Sequence, residues 1–177
     1  MNATTQETVV RTLRFEDDGR IPNNPKLPVL LYPGVLELEG APDPAAVAEA
    51  LFARNGWGGS WRNGVFPFPH YHSNAHEVLG ICAGRARVRL GGAAGEALEV
   101  GAGDVVVLPA GTGHQNLGAS ADFLVVGAYP AGQEDYDLCR GGPGERPRVL
   151  ETIRDVPLPD QDPVFGRDGP LLTHWPG

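Results

Sequence analysis

The sequence predicts an all-β fold: a sandwich or barrel of short antiparallel strands carrying one helix. Three observations predict it. Glycine (25) and proline (17) fill close to a quarter of the 177 residues, a level that starves long helices and suits many turns. Between Val65 and Tyr129 short apolar runs recur about every ten residues, separated by glycine-bearing turns. Hydrophobic residues reach 41%, enough to bury a core, so wholesale disorder is excluded and the length fits one domain.

The elements follow in chain order. Val9, Leu13 and Phe15 share a parity, with Arg11 the exception, and read as a short strand. Asp17-Asp18-Gly19 turns the chain into Ile21–Pro28, where three prolines forbid regular structure, and Val29–Tyr32 is a second strand. A helix runs from Asp43 to about Arg54. Asp43 caps it, Pro44 suits its first position and Asn55-Gly56 stops it. Val47, Ala50, Leu51 and Arg54 form the face that packs on a sheet. Trp57 and Trp61 follow in a glycine-rich connector. Strands are then predicted at Glu77–Cys82, Ala86–Leu90, Ala97–Val100, Asp104–Leu108, Gln115–Leu117 and Asp122–Tyr129. The last 37 residues hold seven prolines and read as extended chain anchored by Trp175, lying over the barrel or a neighbouring subunit. The expected organisation is a single domain over 1–177, with an N-terminal arm at 1–28, the barrel at about 29–130 and a tail at 141–177.

The net charge is −8, with Lys26 the only lysine. That balance repels phosphate backbones and anionic lipid, so nucleic-acid and membrane-surface functions are excluded as partners. No stretch approaches the apolar length of a spanning helix, and residues 1–7 lack the basic start and apolar run of a signal peptide. Cys82 and Cys139 make neither a disulfide framework nor a CxxC pair. A soluble, reducing, cytoplasmic setting is the expectation.

Chemistry concentrates in histidine. Four of the five histidines fall within 45 residues: His70, His72, His76 and His114. In extended chain, residues two apart point the same way, so His70 and His72 can face one centre. Ser73-Asn74 permits a turn that brings Glu77 back, and Pro109-Ala-Gly-Thr-Gly delivers His114 to the start of another strand. Three imidazoles and a carboxylate converging in a barrel suit one divalent ion of iron, manganese, nickel, zinc, cobalt or copper. Octahedral coordination would leave two positions open.

These residues also stand at the spacing of a known family. Gly64, His70, His72, Glu77 and Gly84 match the first cupin motif in full; Gly103, Pro109, Gly111 and His114 match the second. For nine matched positions, chance agreement is on the order of 10⁻¹⁰ per starting point. The chain therefore resembles the cupins, and the resemblance implies a double-stranded β-helix, or jelly-roll barrel, holding a metal on His70, His72, Glu77 and His114. The pattern departs where the family usually carries asparagine four residues after the last histidine: Gly118 stands there, and Asn116 has the strand parity to substitute as a substrate or outer contact. The phrases Ile21-Pro-Asn-Asn-Pro25, Ala128-Tyr-Pro130 and Asp162-Pro-Val-Phe-Gly166 look like the YjlB-type bacterial cupins over nearly the whole chain. That resemblance implies fold and site without naming a reaction; homodimers are common among cupins and expected here.

His76, directly before Glu77, points away from the ligands in a regular strand and reads as a supporting histidine, with a fifth-ligand or acid–base role the alternative. Tyr71 reads as packing, Cys82 as a small buried hydrophobe, and Arg85, Arg87 and Arg89 as a solvated strand face. Phe66 and Phe68, with Pro67 and Pro69, wall a pocket or pack in the core. No phosphate loop, nucleophile elbow or dinucleotide fingerprint occurs, and no catalytic residue is assigned. The sequence thus predicts a metal-binding cupin. It acts as a divalent-metal-dependent enzyme, dioxygenase-like oxidoreductase or isomerase/lyase, on a small polar molecule. The alternative is a non-catalytic small-ligand binder using the same site.

Overall fold

Strict alternation of apolar residues divides the strands between two cores, and the computed structural model, which describes residues 9–177, shows where each half goes. The elements are β1 (Arg11–Leu13), β2 (Val29–Tyr32), α1 (Pro44–Arg54), β3 (Trp57–Asn63), β4 (Glu77–Ala83), β5 (Arg85–Leu90), β6 (Glu96–Gly101), β7 (Val105–Leu108), β8 (His114–Ala119), β9 (Leu124–Pro130), α2 (Arg148–Asp155) and α3 (Leu171–His174). Six strands form one antiparallel sheet in the order β1-β2-β7-β4-β9-β3, and three form a second in the order β6-β5-β8. This is the all-β jelly-roll arrangement that the sequence predicts.

Val29 and Leu31 of β2, Leu79 and Ile81 of β4, and Val106 and Leu108 of β7 point toward the smaller sheet, where Ala86, Val88 and Leu90 meet them. Their odd-even partners Leu30, Tyr32, Val78, Cys82, Val105 and Val107 point the other way, into a second core capped by α1, Leu171 and Trp175. The central strands are thus buried on both faces, and Cys82 is the small hydrophobe expected of it. On β5, by contrast, Arg85 and Arg87 alternate outward with buried Ala86 and Val88, the solvated face that their pattern implies.

Helix α1 packs with a different face from the one expected. Ala45, Ala48 and Phe52 are buried, whereas Ala50 and Arg54 are exposed. The reason is a contact two strands away in sequence: the Phe52 ring settles over Gly80, where an added Cβ would sit 2.9 Å from it. Gly80→Val is therefore expected to cost about 1–3 kcal/mol through overpacking, read as a lower urea midpoint at unchanged slope. Asp43 makes no side-chain cap; its carboxylate turns instead to Arg62, at 3.1 and 3.2 Å.

Two further expectations are corrected. Trp57–Asn63 is a strand, β3, which pairs with β9 through a bulge between Gly58 and Trp61; the bulge glycines disguise it as a connector. The tail is anchored by Trp175, as expected, its indole donating to the Pro28 carbonyl at 2.8 Å, but it is not simply extended: it holds α2 and α3. Val149 and Ile153 of α2 bury against Ile21, Tyr71 and Cys139. No helix among the described residues is long and apolar enough to cross a membrane. The reading of residues 1–7 as free of a leader lies outside the described residues, as does the start of the N-terminal arm.

Candidate metal centre

His70 and His72 lie on an extended segment that docks against the start of β8. His70 and His114 exchange backbone hydrogen bonds of 3.2 and 2.9 Å, and Gly111 donates to the His72 carbonyl at 2.8 Å. This pairing sets the His70 and His114 rings 4.0 Å apart, with His72 5.5 Å from His114. All three side chains are buried, and one ring nitrogen from each falls within 4.8 Å of the others. Glu77 stands on the inner face of β4, its carboxylate oxygens 3.4 Å from Nε2 of His72 and 3.3 Å from Nε2 of His114.

The outward nitrogens reveal the tautomers. Nδ1 of His70 donates to the Phe68 carbonyl at 2.9 Å, Nδ1 of His72 to that of Asp137 at 2.5 Å, and Nδ1 of His114 to that of Thr112 at 3.0 Å. A backbone carbonyl only accepts, so in each neutral ring Nδ1 carries the hydrogen and Nε2 presents a lone pair inward. Three lone pairs therefore face a buried carboxylate whose Oε1 has no hydrogen-bond partner. Lone pair against lone pair, out of water, is unfavourable unless a cation lies between them, and an all-N/O donor set of this kind suits a divalent transition metal.

Charge follows geometry. Burial alone would raise the Glu77 carboxyl, yet the His72 and His114 imidazoles beside it hold it well below the usual carboxylate range. At His72 burial opposes the charged form, but the adjoining Glu77 carboxylate outweighs it and moves the imidazole up. His70 is pushed down to about 3 by burial and by the neighbouring His114.

Sequence reasoning missed the groups that hold these four. The register pairing Val78 with Ala128 sets Tyr129 beside Glu77. Its hydroxyl donates to Glu77 Oε2 at 2.5 Å and accepts from the Trp61 indole at 2.8 Å. Burial and the Glu77 charge push the Tyr129 phenol far up, so it stays protonated and remains the donor. Trp61 reaches this position because Gly127 has no side chain: a Cβ there would lie 2.2 Å from the indole. The loop after β9 supplies the Asp137 carbonyl to His72, and that loop is fixed by the Asp137 carboxylate on Ser73 N–H at 2.7 Å and on the Ser73 hydroxyl. The parity of Tyr129 on its strand was a readable signal; a backbone carbonyl is not.

The remaining sequence candidates lie apart from the centre. His76 is buried on the opposite face of β4 against Trp175, and its Nδ1 accepts from the Ala110 N–H at 2.9 Å, bracing the loop that carries His114. Asn116 turns its amide oxygen to the Gly118 N–H at 2.8 Å and does not line the cavity. Tyr71 packs away from the centre and donates to Glu145 at 2.5 Å. Phe66 and Pro67 do wall a cavity of about 440 Å³ that opens over His70, His72, Glu77 and His114.

Comparison with known proteins agrees with this architecture. Residues 62–126 match the model of the cupin domain. Across 169 residues, 96% of this chain and 98% of the relative, the sequence is 44% identical to the uncharacterized protein YjlB of Bacillus subtilis. Among solved structures, acireductone dioxygenase from Bacillus anthracis, with a cadmium ion in its active centre, is 16% identical over 59% of this chain and 79% of its own, at a TM-score of 0.44. Oxalate decarboxylase of Bacillus subtilis, with Mn(II) centres, is 16% identical over 65% of this chain and 24% of its own, at 0.35. Two motifs on facing strands and a relative matched nearly end to end give one conclusion: the chain belongs to the cupin family.

Proposed function

We propose that this protein is a metal-dependent enzyme acting on a small molecule, with His70, His72, Glu77 and His114 as the ligands of one divalent ion. The observation that supports this reading is the inward set of three Nε2 lone pairs and the partnerless Glu77 Oε1 beneath a cavity of about 440 Å³. The ion would supply Lewis acidity or, if iron, manganese, nickel or copper, redox chemistry at its open positions. The chain's own part is to fix the imidazole tautomers through three carbonyls, to keep Glu77 ionised, and to keep the Tyr129 hydroxyl as a donor to its far oxygen. We read the chain as one domain over 1–177 and carry the homodimer as a proposal. Light scattering at twice the chain's 18.7 kDa would support that assembly.

The reaction type is tested by turnover under air and under nitrogen with zinc-loaded and iron-loaded protein on a panel of small acids, sugars and phenols. Oxygen-dependent activity confined to the iron form indicates an oxygenase, and anaerobic activity with zinc an isomerase or lyase. Tight binding without turnover in either form contradicts the enzyme reading and leaves a small-ligand binder.

Two further outcomes follow from the geometry. Tyr129→Phe is expected to weaken metal binding about 10-fold, because the carboxylate loses the donor that orients it; equilibrium dialysis checks this. Metal affinity is expected to rise with pH until the raised His72 imidazole has lost its proton, then level off. Protonation occupies the lone pair the ion needs, so calorimetry should show about one proton released per metal on the acid side.

A further inference from the structure

The walls of the cavity over the metal centre constrain its occupant, an inference that rests on the metal reading above. Trp61, Val65, Phe66, Leu79, Tyr129 and Tyr136 are six of the fourteen lining residues and supply its bulky side chains, so the space beside the histidines is largely apolar and aromatic. Tyr136 stacks on Tyr129 at 4.2 Å and 19° and meets the His72 ring edge-on at 5.0 Å. Tyr136 thus lays a second aromatic ring over Tyr129, directly beside a ligand.

Cationic help is missing from the same space. Arg62 is the one arginine or lysine among the described lining residues, and it is already held by Glu49 at 2.5 Å and Asp43 at 3.1 Å. Two carboxylates thus more than offset its charge. Within the centre, Glu77 contributes one negative charge and a divalent ion two positive, leaving one positive charge. A ligand with one negative charge neutralises that remainder. A ligand with two leaves an uncompensated anion beside buried Glu77, with no free guanidinium or ammonium to receive it. Four protein donors would leave two positions of an octahedron, the number that a chelating pair of oxygens fills.

We propose that the cavity admits a flat, mainly apolar molecule that offers two adjacent oxygens and carries a single negative charge, of the catechol, hydroxypyrone or tropolone type. It discriminates against compact dianions that chelate through the same two-oxygen geometry. Tropolone and oxalate are the probes. Both are titrated calorimetrically into zinc-loaded protein, zinc being redox-silent, with the zinc content of each sample measured. Tyr136→Ser, a change at a partly exposed side chain, is expected to weaken tropolone at least 10-fold and oxalate less than 2-fold. Wild-type protein is expected to bind tropolone at least 10-fold more tightly than oxalate. Fully zinc-loaded protein in which Tyr136→Ser weakens both probes equally, or which binds oxalate as tightly as tropolone, overturns this inference alone. Wild-type protein that retains no zinc overturns it together with the metal reading.

Discussion

His114→Ala is expected to weaken divalent-metal binding by about 100- to 1000-fold. A four-ligand protein site is worth about 10–16 kcal/mol, so one ligand accounts for roughly a quarter of that, and each 1.4 kcal/mol is tenfold. His114 is the right test residue because its Nδ1 is already held by Thr112 and its backbone already pairs with His70. Alanine keeps that backbone pairing and removes only the imidazole. The metal-free variant should therefore unfold within about 1–2 kcal/mol of the metal-free parent. The parent should gain about 2.7 kcal/mol when metal is present at 100 times its dissociation constant, a gain the variant lacks. Urea titrations with and without metal measure both quantities. A variant still stabilised by metal as strongly as the parent would remove His114 from the ligand set.

Asp162→Ala is expected to cost at least about 3 kcal/mol and to loosen the tail from the barrel. Asp162 is fully buried, and its carboxylate takes four donors: the Tyr32 hydroxyl at 2.5 Å and the N–H groups of Leu171, Val164 and Phe165 at 3.1, 2.8 and 3.0 Å. Hydrogen bonds to a charged group contribute about 1.5–3 kcal/mol each, and losing the acceptor leaves buried donors unpaired; relief from burying the charge offsets only part of this. Tyr32 belongs to the core shared with α1, so the damage reaches beyond the tail. Asp162→Asn keeps one acceptor oxygen and should cost about half as much. Urea unfolding, with proteolysis reporting on residues 165–177, separates global from local loss. Unchanged stability in Asp162→Ala would deny that this carboxylate joins tail to core.

The legible part of the fold was the part written in local pattern. β4, β7 and β9 are near-continuous apolar runs, β5 alternates arginine with Ala86, Val88 and Leu90, and all four lie within a few residues of their predicted limits. The motif spacing likewise singles out His70, His72, Glu77 and His114, side chains that the fold brings together. What escaped depends on partners distant in sequence. β3 holds together because Trp61 finds Gly127 across the sheet, which no feature of its own glycine-rich stretch announces. The packed face of α1 is decided by Gly80, not by the helix's own apolar stripe. In α2, Val149 and Ile153 stand four residues apart and share a buried face, inside a segment whose seven prolines read as extended chain. The His72–Asp137 contact uses a main-chain carbonyl, a group every residue possesses, so composition could not single it out.

The central claim is that three imidazoles and one carboxylate hold a metal ion. Elemental analysis by ICP mass spectrometry on tag-free protein, beside a His72→Ala/His114→Ala double variant, tests it most directly. The account predicts close to one equivalent of a divalent transition metal per chain, absent from the double variant. Protein that carries no metal, and whose stability does not respond to added iron, manganese, nickel, cobalt, copper or zinc, would contradict it.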